Sequence, residues 1–328
     1  PPGSADEQRL SATLDGTSFM FDPTQRTVDH DVETFVKMFE RAQVGEVAPV
    51  SPRKPQNVLL VLDASTQDDL SIRVARHLQK WFECSLSVLD AREQVDTNEL
   101  ADDVATSLSA TALPKASGDS FEQILDGIES SGGDLIIVPC PYGRDYEAVG
   151  PDSSGTVIDV LLARSPVPLL VVRKPYGDED ELFHQVMLVL IGENKAAPAA
   201  AAWAAGFVGH SGSVQLVLIL EEEFYNNVRS LMQEIAPDVE ISADSLSSAL
   251  LKTHMHLHVG LQKAAEQSGF HYELAVLRGD EPAADSIDDR PKHPLLVLAL
   301  ERADHASQGH VHDHIRSSPN LLLIVSVD

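Results

Sequence analysis

The chain has 328 residues, of which 43% are hydrophobic, so it contains ample material for buried cores and is not disordered throughout. Lys and Arg total 24 against 51 Asp and Glu, which gives a net charge of −27. That charge repels phosphate backbones and anionic lipid surfaces, so the composition argues against nucleic-acid and membrane partners.

Cysteine content and hydropathy indicate in which cellular compartment the protein works. The two cysteines, Cys84 and Cys140, exclude a disulfide framework and favour a reducing compartment. No apolar run reaches the roughly 18 residues that a membrane-spanning helix needs. We therefore expect a cytoplasmic protein, and the length favours two compact units.

Residues 1–55 are predicted to be an N-terminal extension. Within it, a docking helix is predicted over 27–42, because apolar residues recur there at helical spacing. These residues are Val28, Val32, Phe35, Val36 and Phe39. Prolines at positions 49, 52 and 55 predict a stiff linker over 48–56.

From residue 57 onward, helices and strands alternate. A continuously apolar run over 57–63 predicts a strand that is covered on both faces. The elements predicted after it are a helix over 66–82, a strand over 85–89, a helix over 95–109, a weak edge strand over 111–115, a helix over 120–130, a strand over 134–138, a loop to Gly155, a helix to Arg164 and a strand over 169–172. This alternation predicts a doubly wound parallel sheet, which we call domain 1 (56–175).

The pattern then repeats. After a linker over 174–181, the runs 186–191, 196–208, 214–220, 295–298 and 319–325 match elements of domain 1 in order. The repeat predicts domain 2 (183–328), which is lengthened by a helical insert at about 222–268. The predicted fold class is therefore α/β, with two tandem Rossmann-like units.

Three segments of domain 1 resemble the universal stress protein family. They are a strand ending in Asp63-Ala64-Ser65, a strand that follows Asp134, and the stretch from Gly155-Thr156 to Pro166-Val167-Pro168 with the apolar strand after it. The resemblance covers 57–173 well and 184–327 more loosely. It implies five-stranded parallel sheets of order 3-2-1-4-5 that pair through their fifth strands as an intrachain pseudo-dimer. A homodimer and a protein partner stay open.

The resemblance also implies an ATP site in domain 1, with Mg²⁺ or Mn²⁺. Many family members bind ATP with a loop of the form Gly-x-x-Gly, nine residues, Gly-Ser/Thr after the fourth strand. Glycines let backbone N–H groups approach phosphate oxygens, and a helix N-terminus adds unpaired donors. Carried over to this sequence, the binding residues are Asp63 (against the adenine edge), Ala64, Ser65, Gly143, Ser154, Gly155, Thr156 and Val157.

The loop departs from the family pattern at two points. Pro139 stands about where the first glycine belongs, and it has no N–H to offer. Asp145, Glu147 and Asp152 face a single Arg144 and would oppose a phosphate unless a divalent cation bridges them. A structural loop without ligand is the alternative interpretation.

Domain 2 departs further. Gly192 and Glu193 replace the aspartate and its neighbour, and the segment 301–314 is predicted to be a loop with Gly309 as its one glycine. We expect no nucleotide there. A scaffolding role is predicted instead, with the insert covering the vacated cleft.

Histidines are concentrated in domain 2 and raise the question of a metal site. They are His254, His256, His258, His305, His310, His312 and His314. In a helix, His254 and His258 share a face, whereas in a strand the first three would share one. Imidazoles at such spacing suit Zn²⁺, Ni²⁺ or Cu²⁺, while surface or packing histidines are the alternative, and we assign no metal ligand.

The sequence thus supports three functional hypotheses. The first is a non-catalytic stress-response regulator gated by ATP or AMP in domain 1. The second is a metal-binding or scaffold protein that uses the domain 2 histidines. The third is a weak adenine-nucleotide hydrolase, which is disfavoured because phosphate chemistry needs cations and the loop supplies Arg144 alone. We expect no enzymatic activity.

Overall fold

A computed structural model describes residues 12–14, 17–19, 47–143, 155–173, 182–220, 242–278, 294–318 and 320–328, with isolated positions 226 and 230. Within these residues it contains twelve strands and eight helices. The predicted helix at 27–42, the linker at 174–181 and most of the insert before residue 242 lie outside the described residues.

Two short strands precede domain 1. Strand β1 (Ala12–Leu14) pairs antiparallel with β2 (Thr17–Phe19). The sequence analysis placed no strand before Asn57, because a three-residue strand is too short to show a hydrophobic period.

The first half of the sheet has the predicted topology. Its elements are β3 (Asn57–Leu62), α1 (Asp68–Phe82), β4 (Ser85–Asp90), α2 (Glu99–Leu108), β5 (Thr111–Ala112), α3 (Ser120–Ser131), β6 (Leu135–Pro139), α4 (Thr156–Arg164) and β7 (Leu169–Val172). The strands lie in the order β5-β4-β3-β6-β7, and every neighbouring pair is parallel. This is the predicted order 3-2-1-4-5, with the two-residue β5 at the edge.

The second half repeats the order. Its elements are β8 (Gln185–Ile191), α5 (Ala197–Phe207), β9 (Ser213–Leu220), α6 (Ala243–Thr253), α7 (Met255–Ser268), β10 (His271–Arg278), β11 (Leu295–Glu301), α8 (His305–Ser317) and β12 (Leu322–Val327). The order is β10-β9-β8-β11-β12, and β2 adds to β10 in parallel.

The two halves join through their last strands. Strands β7 and β12 pair antiparallel, with Leu170 opposite Leu323, so all twelve strands form one sheet. The predicted pairing through the fifth strands is confirmed. The domain limits themselves stay a prediction.

Two apolar cores cover the faces of this sheet. On β3, Leu60 and Leu62 face the core that contains α1 and α5, whereas Leu59 and Val61 face the core that contains α3, α4 and α8. Burial of one such side chain contributes about 1.5–3 kcal/mol. Each core runs through both halves, so the halves are packed together rather than merely linked. Among the described helices, none is long and apolar enough to cross a membrane.

Side chains also join the halves on both faces. On one face, the ring centroids of Phe82 and Phe207 lie 5.4 Å apart, and those of His77 and Phe183 lie 5.5 Å apart. On the other face, Arg302 Nε donates to the Leu162 carbonyl at 3.2 Å, beside a cavity of about 220 Å³ between α4 and α8. The seam is therefore apolar on one side and polar on the other.

The predicted linker lies against domain 2. We call residues 47–56 the strap. Val50 N donates to the Gly260 carbonyl at 2.9 Å, and Arg53 N donates to the Ala202 carbonyl at 2.8 Å. The Arg53 guanidinium also lies 5.0 Å from the centre of the Trp203 ring. The strap thus crosses α7 and α5 before the chain enters β3.

The segment 301–314 was predicted wrongly. Glu301 ends β11, and residues 305–317 form α8, with Gly309 inside the helix rather than in a loop. Val311 and Ile315, four residues apart, are fully buried and hold the helix on the sheet. That spacing was overlooked because polar residues and histidines surround both positions.

Candidate functional site

The switch point of the domain 1 sheet lies between β3 and β6. Helix α1, which follows β3, packs on one face, and α4, which follows β6, packs on the other. In doubly wound sheets, ligands bind in the crevice outside the carboxyl ends of such strands. Here the crevice is bounded by 63–68 and by 140–143 with Gly155.

Two carboxylates brace the turn after β3. Asp68 accepts hydrogen bonds from Asp63 N at 3.2 Å and from Ala64 N at 2.8 Å. Asp63 Oδ1 in turn accepts from Ser65 N at 2.9 Å. Ala64 adopts a φ of +63°, so the turn is in the left-handed region that L-residues rarely enter. The carboxylates hold a backbone conformation that the chain disfavours.

The negative charge of Asp63 also acts on Asp68. Both are nearly buried, at 6% and 7% exposure. Burial first, and then the negative charge of Asp63, raise the pKa of Asp68 to about 7. Asp68 therefore keeps its proton to a higher pH than an exposed aspartate does.

The segment after β6 closes onto this turn. Gly143 N donates to Asp63 Oδ2 at 2.5 Å, and Gln67 Nε2 donates to the Cys140 carbonyl at 3.4 Å. Gly143 has a φ of +70°, which a glycine adopts without strain. The Asp63 carboxylate is thus already bonded on both oxygens.

Tyr142 lies across the crevice. Its hydroxyl oxygen is buried beside Ser120 at the start of α3, and its ring packs against the core beneath α3 and α4. Burial first, and then nearby Asp63 and Asp90, raise the pKa of Tyr142 well above its ordinary value. The phenol is therefore neutral, and its hydroxyl oxygen is buried although the residue as a whole is partly exposed.

A salt cluster occupies the end of β4. Asp90 is fully buried and receives Arg92 Nε at 2.9 Å and an Arg92 terminal nitrogen at 2.6 Å, with Lys115 Nζ 3.5 Å away. Burial would raise the pKa of Asp90, but the hydrogen bonds from Arg92 and the charge of Lys115 outweigh it, so the pKa is lowered. Both cations are committed to Asp90.

The structure brings most of the predicted site residues together. Asp63, Ala64, Ser65 and Gly143 meet in the crevice. Gly155, Thr156 and Val157 begin α4, and a Cβ on Gly155 would lie 4.0 Å from Tyr142 N. Ser154 and the acidic residues from 145 to 152 lie outside the described residues.

Sequence reasoning missed Asp68, Tyr142 and the Asp90 cluster. Asp68 reads as an ordinary acid in the first turn of a helix, where such residues are common. Tyr142 and Arg92 follow strands β6 and β4 at the carboxyl edge, and that position is the one signal that could have found them.

The corresponding edge of domain 2 is closed by its own side chains. Asn194 Nδ2 donates to the Ala299 carbonyl and to Ser307 Oγ, each at 3.2 Å. Ser307 Oγ accepts from Glu301 N at 3.1 Å, and Lys195 is paired with Glu301. Only residues 302–304 separate β11 from α8, whereas residues 140–155 separate β6 from α4.

The insert helices reach this edge without filling it. His254 Nε2 donates to the Gly192 carbonyl at 2.7 Å, where β8 has just ended. A cleft of about 330 Å³ stays beside it, walled by Glu193, Asn194, His256 and Val50 among others. The predicted cover is therefore partial.

The histidines are distributed among separate structural roles. His258 is buried and hydrogen-bonded to Tyr272 at 2.9 Å, and His312 Nδ1 lies 3.5 Å from Asp159 across the seam between α4 and α8. The rings of His310 and His314 lie 4.1 Å apart within α8. Within the described residues, no three His, Cys, Asp or Glu side chains are grouped to hold a metal ion.

Comparison with known proteins identifies the fold. No protein-family model and no curated protein sequence matches the chain. A Pseudomonas aeruginosa UCBPP-PA14 protein assigned to the universal stress proteins superposes with a TM-score of 0.53 at 12% identity, over 83% of this chain and 93% of that one. A functionally unknown protein from Pseudomonas aeruginosa PAO1 gives 0.53 at 12% identity, over 84% and 93%. The chain therefore has the universal stress protein fold, as the resemblance predicted, and carries it twice.

Proposed function

We propose that this chain is a non-catalytic stress-response binding protein in which domain 1 takes an adenine nucleotide and domain 2 acts as a scaffold. The observation that carries the proposal is the asymmetry between the two halves. Residues 140–155 connect β6 to α4 in domain 1, whereas residues 302–304 make the same connection in domain 2. A single half therefore has room for a ligand loop.

The residues at the domain 1 edge suit such a ligand. Asp63 offers a carboxylate to an amino group at the switch point. Gly155, with a φ of +83°, is the residue before α4 and has no side chain of its own with which to cap the helix. The free N–H groups and positive dipole end of α4 favour phosphate, at about 0.3–1 kcal/mol for each charge–dipole contact. ATP with Mg²⁺, or AMP, satisfies both features.

Binding rather than hydrolysis is supported by the cations. Phosphoryl transfer needs positive groups that neutralise the charge developing on the transferred phosphate. Arg92 and Lys115, at the end of β4, are both engaged by buried Asp90. We infer that a bound nucleotide shifts the population of loop conformations, which a partner then recognises.

Calorimetric titration and thermal unfolding with ATP and AMP, each with and without Mg²⁺, test the proposal. We expect saturable binding, and a ligand at 100 times its Kd should add about 2.7 kcal/mol of stability. Asp63→Asn should weaken binding about tenfold, which corresponds to about 1.4 kcal/mol. Glu193→Gln, at the corresponding edge of domain 2, should leave binding unchanged. The absence of both binding heat and a thermal shift at millimolar nucleotide would contradict the proposal.

A further inference from the structure

We propose that Tyr142 and Gly143 fill the nucleotide site of domain 1 in the ligand-free protein, so that a nucleotide binds only by displacing them. This inference rests on the proposed function and concerns the regulation of that same site. It makes the segment directly after β6 a built-in competitor of the ligand.

The first argument is position. Tyr142 and Gly143 lie against the turn 63–68 at the carboxyl ends of β3 and β6, which is where a ligand binds in a doubly wound sheet. Gly143 N is bonded to Asp63 Oδ2 at 2.5 Å, and the Tyr142 hydroxyl is buried beside Ser120. A ligand ring placed over the ends of β3 and β6 would occupy the same volume.

The second argument is chemical likeness. A nucleobase offers an aromatic face together with an N–H donor on its edge. Tyr142 supplies the aromatic face and Gly143 supplies the donor, and the donor is bonded to the carboxylate that we expect to recognise the base. The protein thus satisfies Asp63 with its own backbone when no ligand is present.

The third argument is anchoring. Gln67 bonds to the Cys140 carbonyl at 3.4 Å, so the segment is fixed before Tyr142 as well as at Gly143. A Cβ built on Gly155, at the start of α4, would lie 4.0 Å from Tyr142 N. We call Tyr142 and Gly143 the plug. Displacement of the plug would also change the surroundings of the α4 N-terminus, which we expect to contact the phosphates.

Titration of a tyrosine series with ATP and Mg²⁺ tests the inference. If the plugged state is nine-tenths populated, its removal raises the apparent affinity about tenfold. Tyr142→Ala should therefore bind about tenfold more tightly than the wild type. Tyr142→Phe keeps the ring and should bind as weakly as the wild type. If the wild type binds and Tyr142→Ala binds equally well or more weakly, the inference is overturned and the proposed function stands. If neither the wild type nor any variant binds, both are overturned.

Amide hydrogen exchange on the unmodified protein gives a readout that needs no variant. The Gly143 amide should be protected without ligand, since it is bonded to Asp63, and should lose protection when ATP saturates the site. A Gly143 amide that exchanges as fast as an open loop in the ligand-free protein would overturn the inference, whatever the affinities show.

Discussion

Gly206 in α5 and Arg53 in the strap approach so closely that no other residue fits at position 206. A Cβ built on Gly206 would lie 1.8 Å from the Arg53 carbonyl oxygen. Gly260 in α7 makes a second close approach, since a Cβ built on it would lie 3.1 Å from a Val50 methyl group. The two helix glycines form the track on which the strap lies, although glycine weakens a helix by about 1 kcal/mol relative to alanine.

We therefore predict that Gly206→Ala dislodges the strap. The clash is with backbone, so the strap must move and lose the bond from Arg53 N to Ala202 and the contact with Trp203. The net loss of stability should be about 1–3 kcal/mol, as is usual for overpacking. Urea unfolding measures the loss, and faster trypsin cleavage after Arg53 locates it.

The matched control is Gly309→Ala in α8. Gly309 is exposed within its helix, and a Cβ there would meet nothing within 4 Å. This substitution should stabilise the protein by about 0.5–1 kcal/mol through helix propensity alone. Equal effects at the two glycines would show that the strap is not held by Gly206.

Arg302 is predicted to be the main polar link across the seam. Its guanidinium donates to the Leu162 and Ser165 carbonyls at the end of α4, and to Ser326 Oγ at 2.7 Å. The last carbonyls of a helix have no intrahelical partner, so domain 2 supplies the cap that α4 lacks. Arg302→Met should cost about 2–4 kcal/mol because it leaves those carbonyls without a donor.

Arg316→Met provides the comparison, measured by the same denaturant titration. Arg316 is 46% exposed and lies 3.9 Å from Asp313, a geometry that contributes at most about 0.5 kcal/mol. If Arg302→Met proved as mild as Arg316→Met, the seam would not depend on this side chain.

The sheet could be predicted because its strands are buried on both faces. Runs such as 58–62 and 295–300 are continuously apolar, and their repetition in order predicts duplication. The strap could not be placed in the same way. Its prolines predict stiffness, but the surface that receives it depends on Gly206 and Gly260, and those glycines show no pattern in a sequence read locally.

The candidate site was predictable only in part, for a related reason. Asp63 and Gly155 stand at strand and helix ends, where sequence patterns are informative. The bond from Gly143 N to Asp63 joins residues that are 80 positions apart, and its geometry depends on the register of β3 against β6. The position of Tyr142, next to Gly143, follows from that register, so the sequence could indicate the edge of the sheet but not which residues meet there.

Buried His258 should make the protein acid-sensitive. Burial lowers the pKa of His258 from 6.5 to about 4, so between these values the unfolded chain binds a proton that the folded chain does not. Stability therefore falls as the pH falls through this window, by about 3 kcal/mol for this residue. His258→Gln should therefore gain stability relative to the wild type as the pH falls from 7 to 4, as denaturant titrations at each pH would measure.

His271→Gln is the control for this series, because the His271 ring is 47% exposed. Its curve should keep the wild-type slope. Burial also lowers the pKa values of His254 and His314, so some acid sensitivity should persist in His258→Gln. An unchanged slope in that variant would contradict the prediction.

Asp68 should have the opposite effect on the pH dependence of stability. Its pKa is raised from 3.8 to about 7, first by burial and then by Asp63, so between these values the folded chain holds a proton that the unfolded chain has lost. Stability therefore falls as the pH rises through the window, and the loss between pH 5 and pH 8 should be about 2–3 kcal/mol.

Asp68→Asn cannot ionise, so its stability relative to the wild type should increase steadily from pH 5 to pH 8. The neighbouring Asp69→Asn, at an exposed position of the same helical turn, should run parallel to the wild type. A curve for Asp68→Asn that also ran parallel would mean that the Asp68 carboxyl ionises independently of folding, which would contradict the prediction.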